Sequence, residues 1–154
     1  MAQVITVTGT VEPERLGVTM SHVHLLLELS VAEQRESPDT ASRRALFEKP
    51  ISMDLLGMIR RRVHLVKDNL ILGDVDEAID ELMFYKRMGG TSLVEPGVIG
   101  LGRDPVGLRQ ISAATGINIV ATTGWYIAAS HSAAVRESGT EKLCDQMVQE
   151  LTVG

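Results

Sequence analysis

The 154-residue sequence holds a single cysteine, Cys144. One thiol excludes an internal disulfide framework and any four-cysteine zinc site, and it fits a reducing compartment. Cys144 falls at helical spacing with Met147, Val148 and Leu151, so it reads as a small core residue. Cations are also short: 15 Lys and Arg against 20 Asp and Glu leave a net charge of −5, and Arg60-Arg61-Arg62 is the only dense basic run. Such a chain lacks the basic surface that attracts phosphate backbones, which excludes nucleic acid as a partner. No stretch approaches the roughly 18 consecutive apolar residues of a membrane span, and the N-terminus lacks the charged region and apolar block of a secretory leader. The expectation is a soluble, cytoplasmic chain without a membrane partner. Sustained internal repeats and low-complexity tracts are absent as well.

What the chain does have is 44% hydrophobic residues over a length that suffices for one globular domain, or part of one. Residues 3 to 11 alternate β-formers with small or polar residues, and "EPERLG" follows as a turn before a second extended run from Val18 to His24. This predicts a short hairpin over about 3–17 that leads into the first internal strand. Residues 30 to 53 are polar, broken by Pro38 and Pro50, and predict a long irregular excursion. Beyond them Val75, Ile79, Leu82 and Met83 share one helical face. Asp74 with Glu77 resembles a capping box, Lys86 and Arg87 suit the negative end of the dipole, and Gly89-Gly90 supplies a stop.

The run "TSLVE", residues 91 to 95, predicts a buried strand. A glycine-rich loop then ends at Asp104 as N-cap with Pro105 in the first helical position. That helix runs to about Thr115 with Gly116 as its stop, "INIVATT" at 117 to 123 is a further strand, and a last helix starts near Thr140. Strands alternating with helices at this spacing predict parallel βαβ units, hence an α/β fold.

One pair carries chemistry. In an extended segment side chains alternate, so His22 and His24 point the same way with Cα atoms about 6.5 Å apart. Both imidazoles can then reach one cation at the zinc–nitrogen distance of about 2.0 to 2.1 Å. Spacing alone leaves two readings open, a shared metal or a polar strand end satisfied by backbone and water. The pair closes a strand in a chain of βα units, and in α/β barrels ligands converge at the carboxyl ends of the strands.

The blocks "GVTMSHVHLLLE", "GGTSLVEPGVIGLGRDP" and "GINIVATTGWY" together resemble the N-terminal part of the phosphotriesterase family of the amidohydrolase superfamily, in its phosphotriesterase-related, lactonase-like branch. Three ordered blocks cover nearly the whole chain. The resemblance implies the N-terminal portion of a (β/α)8 TIM barrel, with residues 1–154 forming an incomplete hydrolase domain: the hairpin, then roughly the first three βα units. It implies two divalent metal ions in the intact protein, zinc first with manganese or cobalt as alternatives, and a metal-activated hydroxide attacking a lactone, phosphotriester or related ester. By position His22 and His24 would bind the more buried metal, and Tyr126 would stand in the substrate pocket; on the residues alone, Tyr126 reads as a loop aromatic on the barrel rim.

The remaining candidates read as structural. Arg103 and Asp104 belong to the helix start, and Glu28 is a solvated loop charge. Glu95 ends a strand where the family keeps an acidic residue without ligating through it. His64 and His131 match no ligand position and read as surface residues.

The bridging carboxylate, two further histidines and an aspartate that the family draws from later strands are absent, so this chain holds ligands for one metal only and no certain catalytic residue. A complete barrel takes about 250 residues and eight strands. The expectation is therefore a hydrolase fragment, inactive alone, with a small-molecule ester or lactone as substrate and a homodimer as the intact form. The alternatives are a non-catalytic α/β module that assembles through its open sheet edge, and an unrelated α/β enzyme whose histidines do acid–base chemistry without metal.

Overall fold

The computed structural model describes residues 2–29 and 40–153. It opens with a hairpin of β1 (Val4–Thr6) and β2 (Gly9–Val11), in the register Val4↔Val11, Ile5↔Thr10, Thr6↔Gly9. The turn lies at Val7-Thr8, closed by Gly9 at φ 129° and by the Thr6 hydroxyl donating to the Gly9 carbonyl at 2.6 Å. This is tighter than the sequence suggests, because "EPERLG" makes a separate 3-10 turn at Pro13–Arg15.

Strand β3 (Thr19–Met20) is the first of the central sheet. Regular structure stops at Met20, short of the expected run to His24, since Ser21 and His22 bend. The path nevertheless stays alongside its neighbour. Next come β4 (Leu27–Glu28), helix α1 (Ala41–Phe47), helix α2 (Leu56–Ile59) and β5 (Ile71–Leu72), with β4 and β5 antiparallel. Helix α1 corrects the expectation of an irregular 30–53 excursion: the Thr40 hydroxyl accepts from Arg43 N and starts a helix whose Phe47 is buried. Residues 30–39 of that excursion lie outside the described residues. The segment builds its own small core from Leu55, Ile59 and Val66, with Leu46 and Leu65 against them.

Helix α3 (Val75–Arg87) follows, capped by Asp74 Oδ1, which accepts from Asp76 N at 2.9 Å and Glu77 N at 3.1 Å. It leads through Gly89, at φ 94°, into β6 (Ser92–Glu95). Helix α4 (Pro105–Thr115) ends at left-handed Gly116 and gives way to β7 (Asn118–Ala121). Short α5 (Ala133–Glu137) and α6 (Thr140–Thr152) complete the described elements.

The sheet order is β3-β6-β7, all parallel, with Thr19↔Ser92 and Leu93↔Ile119 among the pairs. Its core joins Leu93 and Ile119 from the strands to Ala78 and Leu82 of α3 and Leu108 and Ile111 of α4. Consecutive parallel strands with helices packed between them make this an α/β fold, the N-terminal portion of a (β/α)8 barrel behind a short hairpin. No helix of the described residues is long and apolar enough to cross a membrane.

Cys144 is not a core residue. It is exposed on α6, where Val148 and Leu151 are also 52% and 60% exposed. The helical stripe exists as its spacing predicts, with Met147 half-buried and Cys144, Val148 and Leu151 exposed.

Leu93 is fully buried, so Leu93→Ala should cost about 2–5 kcal/mol, read as a lower urea midpoint. Met88, 87% exposed at the end of α3, should tolerate alanine within about 0.5 kcal/mol. Equal losses at the two positions would contradict the packing described.

Candidate metal centre

The histidine pair sits just past β3 and is carried along β6 by Val23, whose N–H donates to the Val94 carbonyl at 3.1 Å. The Val23 side chain packs on the main core, which turns His22 and His24 away from it together. Their ring centroids lie 5.4 Å apart, edge to face at 89°. Ring proximity therefore matches the sequence expectation. Their surroundings differ: His22 is exposed, whereas the His24 side chain is 25% exposed and lies against Glu95.

Glu95 is the residue the sequence undervalues. It ends β6 only 1% exposed, with Oε1 3.0 Å from His24 Nδ1 and Oε2 accepting from Gly97 N–H at 2.9 Å. A Cβ at position 97 would come 2.7 Å from Oε2, so glycine is what lets the backbone close on the carboxylate. A strand-terminal acid followed by Pro-Gly was the available signal. Its partner, 71 residues earlier, was not visible without the strand pairing.

Both histidines open on a cavity of about 390 Å³ whose other walls include Leu27, Val98, Leu101 and Tyr126. Tyr126 is thus placed beside the pair and is 41% exposed. Backbone bonds hold it there: Ile99 N–H donates to the Gly124 carbonyl at 3.2 Å and Tyr126 N–H to the Ile99 carbonyl at 3.0 Å. His131 is half-buried rather than a free surface residue, with Nε2 donating to the Tyr126 carbonyl at 3.2 Å. His64 is also half-buried, and among the described residues its Nδ1 has no hydrogen-bond partner. It does not line the cavity. Glu28 is exposed, as its position suggests.

Among the described residues no cluster of three or more His, Cys, Asp or Glu is placed to hold a metal. The donor set is two imidazoles on one cavity wall, one of them backed by a carboxylate. That chemistry suits a borderline-soft divalent cation and supplies part of a coordination sphere.

Arg103 and Asp104 have the structural roles their sequence context suggests. Asp104 Oδ1 accepts from Val106 N and Gly107 N at 3.1 and 2.9 Å, capping α4. Arg103 Nη1 meets Glu150 Oε2 at 3.0 Å, tying the loop after β6 to α6. Thr123 and Gln146 also donate to the Glu150 carboxylate. Burial pushes the Glu150 carboxyl up, but Thr123, Gln146 and Arg103 together hold it below its ordinary value.

Comparison with known proteins places these features in context. The sequence profile of the Phosphotriesterase family matches residues 2–154. N-acetyltaurine hydrolase of Homo sapiens is 35% identical over 153 residues, covering 99% of this chain and 43% of that protein, and the Bos taurus protein is 37% identical over the same shares. The chain spans less than half the length of the curated relatives it matches. A crystal structure of a resiniferatoxin-binding protein from Rhodobacter sphaeroides superposes with TM-score 0.87 at 34% identity, over 97% of this chain and 41% of that one. A lactonase from Listeria monocytogenes, at 21% identity, TM-score 0.70, and 99% and 43% of the two chains, shares the fold.

A carboxylate held below its ordinary value of 4.5 stabilises the fold above that value, and the contribution is lost as pH falls through the lowered one. Glu150→Gln should therefore cost about 1 kcal/mol at neutral pH, and the deficit should shrink as both proteins are unfolded at progressively more acidic pH below the ordinary carboxylate value. A deficit independent of pH would show that the charge of Glu150 contributes nothing.

Proposed function

The chain belongs to the phosphotriesterase family, and from that premise we propose that it is the N-terminal part of a metal-dependent hydrolase whose His22 and His24 hold one ion of a binuclear centre. Zinc is the first choice of metal, with manganese or cobalt as alternatives. The observation that carries this reading is the pair itself: two imidazoles on one cavity wall at the carboxyl end of a parallel strand, one anchored by a buried carboxylate. In barrels of this kind the ligands of a site come from the ends of several strands.

The chemistry that divalent ions supply when bound is Lewis-acid polarisation of a carbonyl or phosphoryl oxygen and ionisation of water near neutral pH. The residues of this chain do the rest of their share. His22 and His24 present nitrogen donors, Glu95 holds the His24 ring, and Tyr126 with Leu27, Val98 and Leu101 walls a cavity that would orient a small substrate against the pair. A lactone or related ester is the proposed substrate, and the N-acetyltaurine hydrolases among the relatives extend the class to an N-acyl amide. The intact protein is proposed to be a cytoplasmic homodimer. Residues 1–154 form its incomplete hydrolase domain.

A second reading, an assembly module without catalysis, is favoured by one observation, the uncovered Val148 and Leu151 on α6. Sedimentation separates the two, since a strictly monomeric, well-folded chain counts against assembly.

Zinc titration of the 154-residue chain should show binding that His22→Ala and His24→Ala each weaken by at least ~10-fold. The chain alone should show no appreciable lactonase or phosphotriesterase activity, and a chain extended through the remaining strands should be active with zinc or manganese. An extended chain inactive with every divalent metal tried would overturn the hydrolase reading.

A further inference from the structure

The two histidines of the pair are held unequally. His24 Nδ1 lies 3.0 Å from Oε1 of a carboxylate that is 1% exposed. His22 is exposed, and the contact described for its ring is the edge-to-face one with His24. A carboxylate only accepts hydrogen bonds, so the proton of a neutral His24 sits on Nδ1 and the lone pair on Nε2. Among the described residues no such choice is imposed on His22.

We propose that Glu95 is a positioning residue that selects, before any metal arrives, the His24 tautomer whose Nε2 can ligate, making His24 the pre-set donor and His22 the adaptive one. The proposal rests on the metal-site reading above. It adds an order to the site: one ring is fixed in tautomer and orientation by the fold, and the other takes up its geometry on binding.

Gly97 makes the selection sharp. Its N–H donates to Oε2 at 2.9 Å, and the missing Cβ is what allows that approach. The group at position 95 must therefore accept at the Gly97 end. A glutamine there has one oxygen, and Gly97 N–H claims it. The amide NH₂ then faces His24 Nδ1, which must accept, and the ring proton moves to Nε2, the nitrogen a metal needs. The opposite amide orientation would set NH₂ against the Gly97 N–H, two donors facing each other. Glu95→Gln, nearly identical in size, thus reverses the tautomer of His24 while leaving the packing in place.

Long-range ¹H–¹⁵N correlation spectra of the metal-free 154-residue chain, at a pH of about 8 where ordinary imidazoles are neutral, read each tautomer directly. His24 should be Nδ1–H in the wild type and Nε2–H in Glu95→Gln, with His22 a mixture in both as the internal reference. Zinc titrated into the same samples should bind about 10–100-fold more weakly to Glu95→Gln. A wild-type His24 in the Nε2–H form, an unchanged tautomer in the variant, or a reversed tautomer with undiminished zinc affinity would each overturn the proposal. The wild-type spectrum carries the first arm even if the variant does not fold, and His22→Ala carries a second, because Glu95 should keep His24 in the Nδ1–H form without its neighbour. Since the tautomer is read without metal, a wild-type chain that fails to bind zinc counts against the metal site, whereas a wrong tautomer counts against the role of Glu95.

Discussion

The parallel register of β3 against β6 is the constraint on which the site depends. Thr19 pairs with Ser92 and Met20 with Leu93, and the Val23–Val94 bond continues the match until His24 stands beside Glu95. A slip of one residue would turn Leu93 out of the core and Glu95 away from His24, because side chains alternate along a strand. Tyr85 fixes this register from outside the sheet: its hydroxyl lies 2.8 and 2.9 Å from the carbonyls of Val18, just before β3, and Ser92, the first residue of β6. The ring fits there because position 90 is glycine, where a Cβ would come 2.3 Å from it. The Ser92 hydroxyl adds a third tie by donating to the Leu16 carbonyl at 2.6 Å.

Above the strands the loops are joined to one another. The Ile99–Trp125 bridge couples the loop after β6 to the loop after β7, and Gly100 at φ 99° lets the first loop turn close to Ser130 and Tyr126. Arg103 and Glu150 carry the same coupling on to α6. Tyr126 is thereby fixed through its backbone while the residue stays 41% exposed.

Much of this was legible in the sequence, and the limits follow from range. Helices α3 and α4 were readable because their signals are local: Asp74 and Asp104 cap within three residues, and Gly116 stops the second at φ 69°. The His22 and His24 pair was legible for the same reason, two residues on one strand path. The hairpin turn was misplaced because Val7-Thr8 carries weaker turn chemistry than "EPERLG" and is closed by a Thr6–Gly9 bond that spacing does not announce. Helix α1 was hidden by the prolines around it, although Thr40 was a valid cap. The stripe on α6 was read correctly as a stripe and wrongly as core, since periodicity says which residues share a face and nothing about what lies against it. Glu95 needed the register itself.

Burial of Glu95 explains why half of the pair belongs to the fold. An acidic side chain 1% exposed is costly unless its oxygens are met, and here Gly97 N–H meets one and His24 the other. Without His24, Oε1 would be left without its partner in a low-dielectric position, at a cost of about 1–3 kcal/mol or more for a charged group. Glu95 and His24 therefore require each other on stability grounds alone. His22, exposed and held by no hydrogen bond among the described residues, satisfies no comparable demand. Folding accounts for one histidine of the pair, and the proposed shared cation on the cavity wall would account for the second.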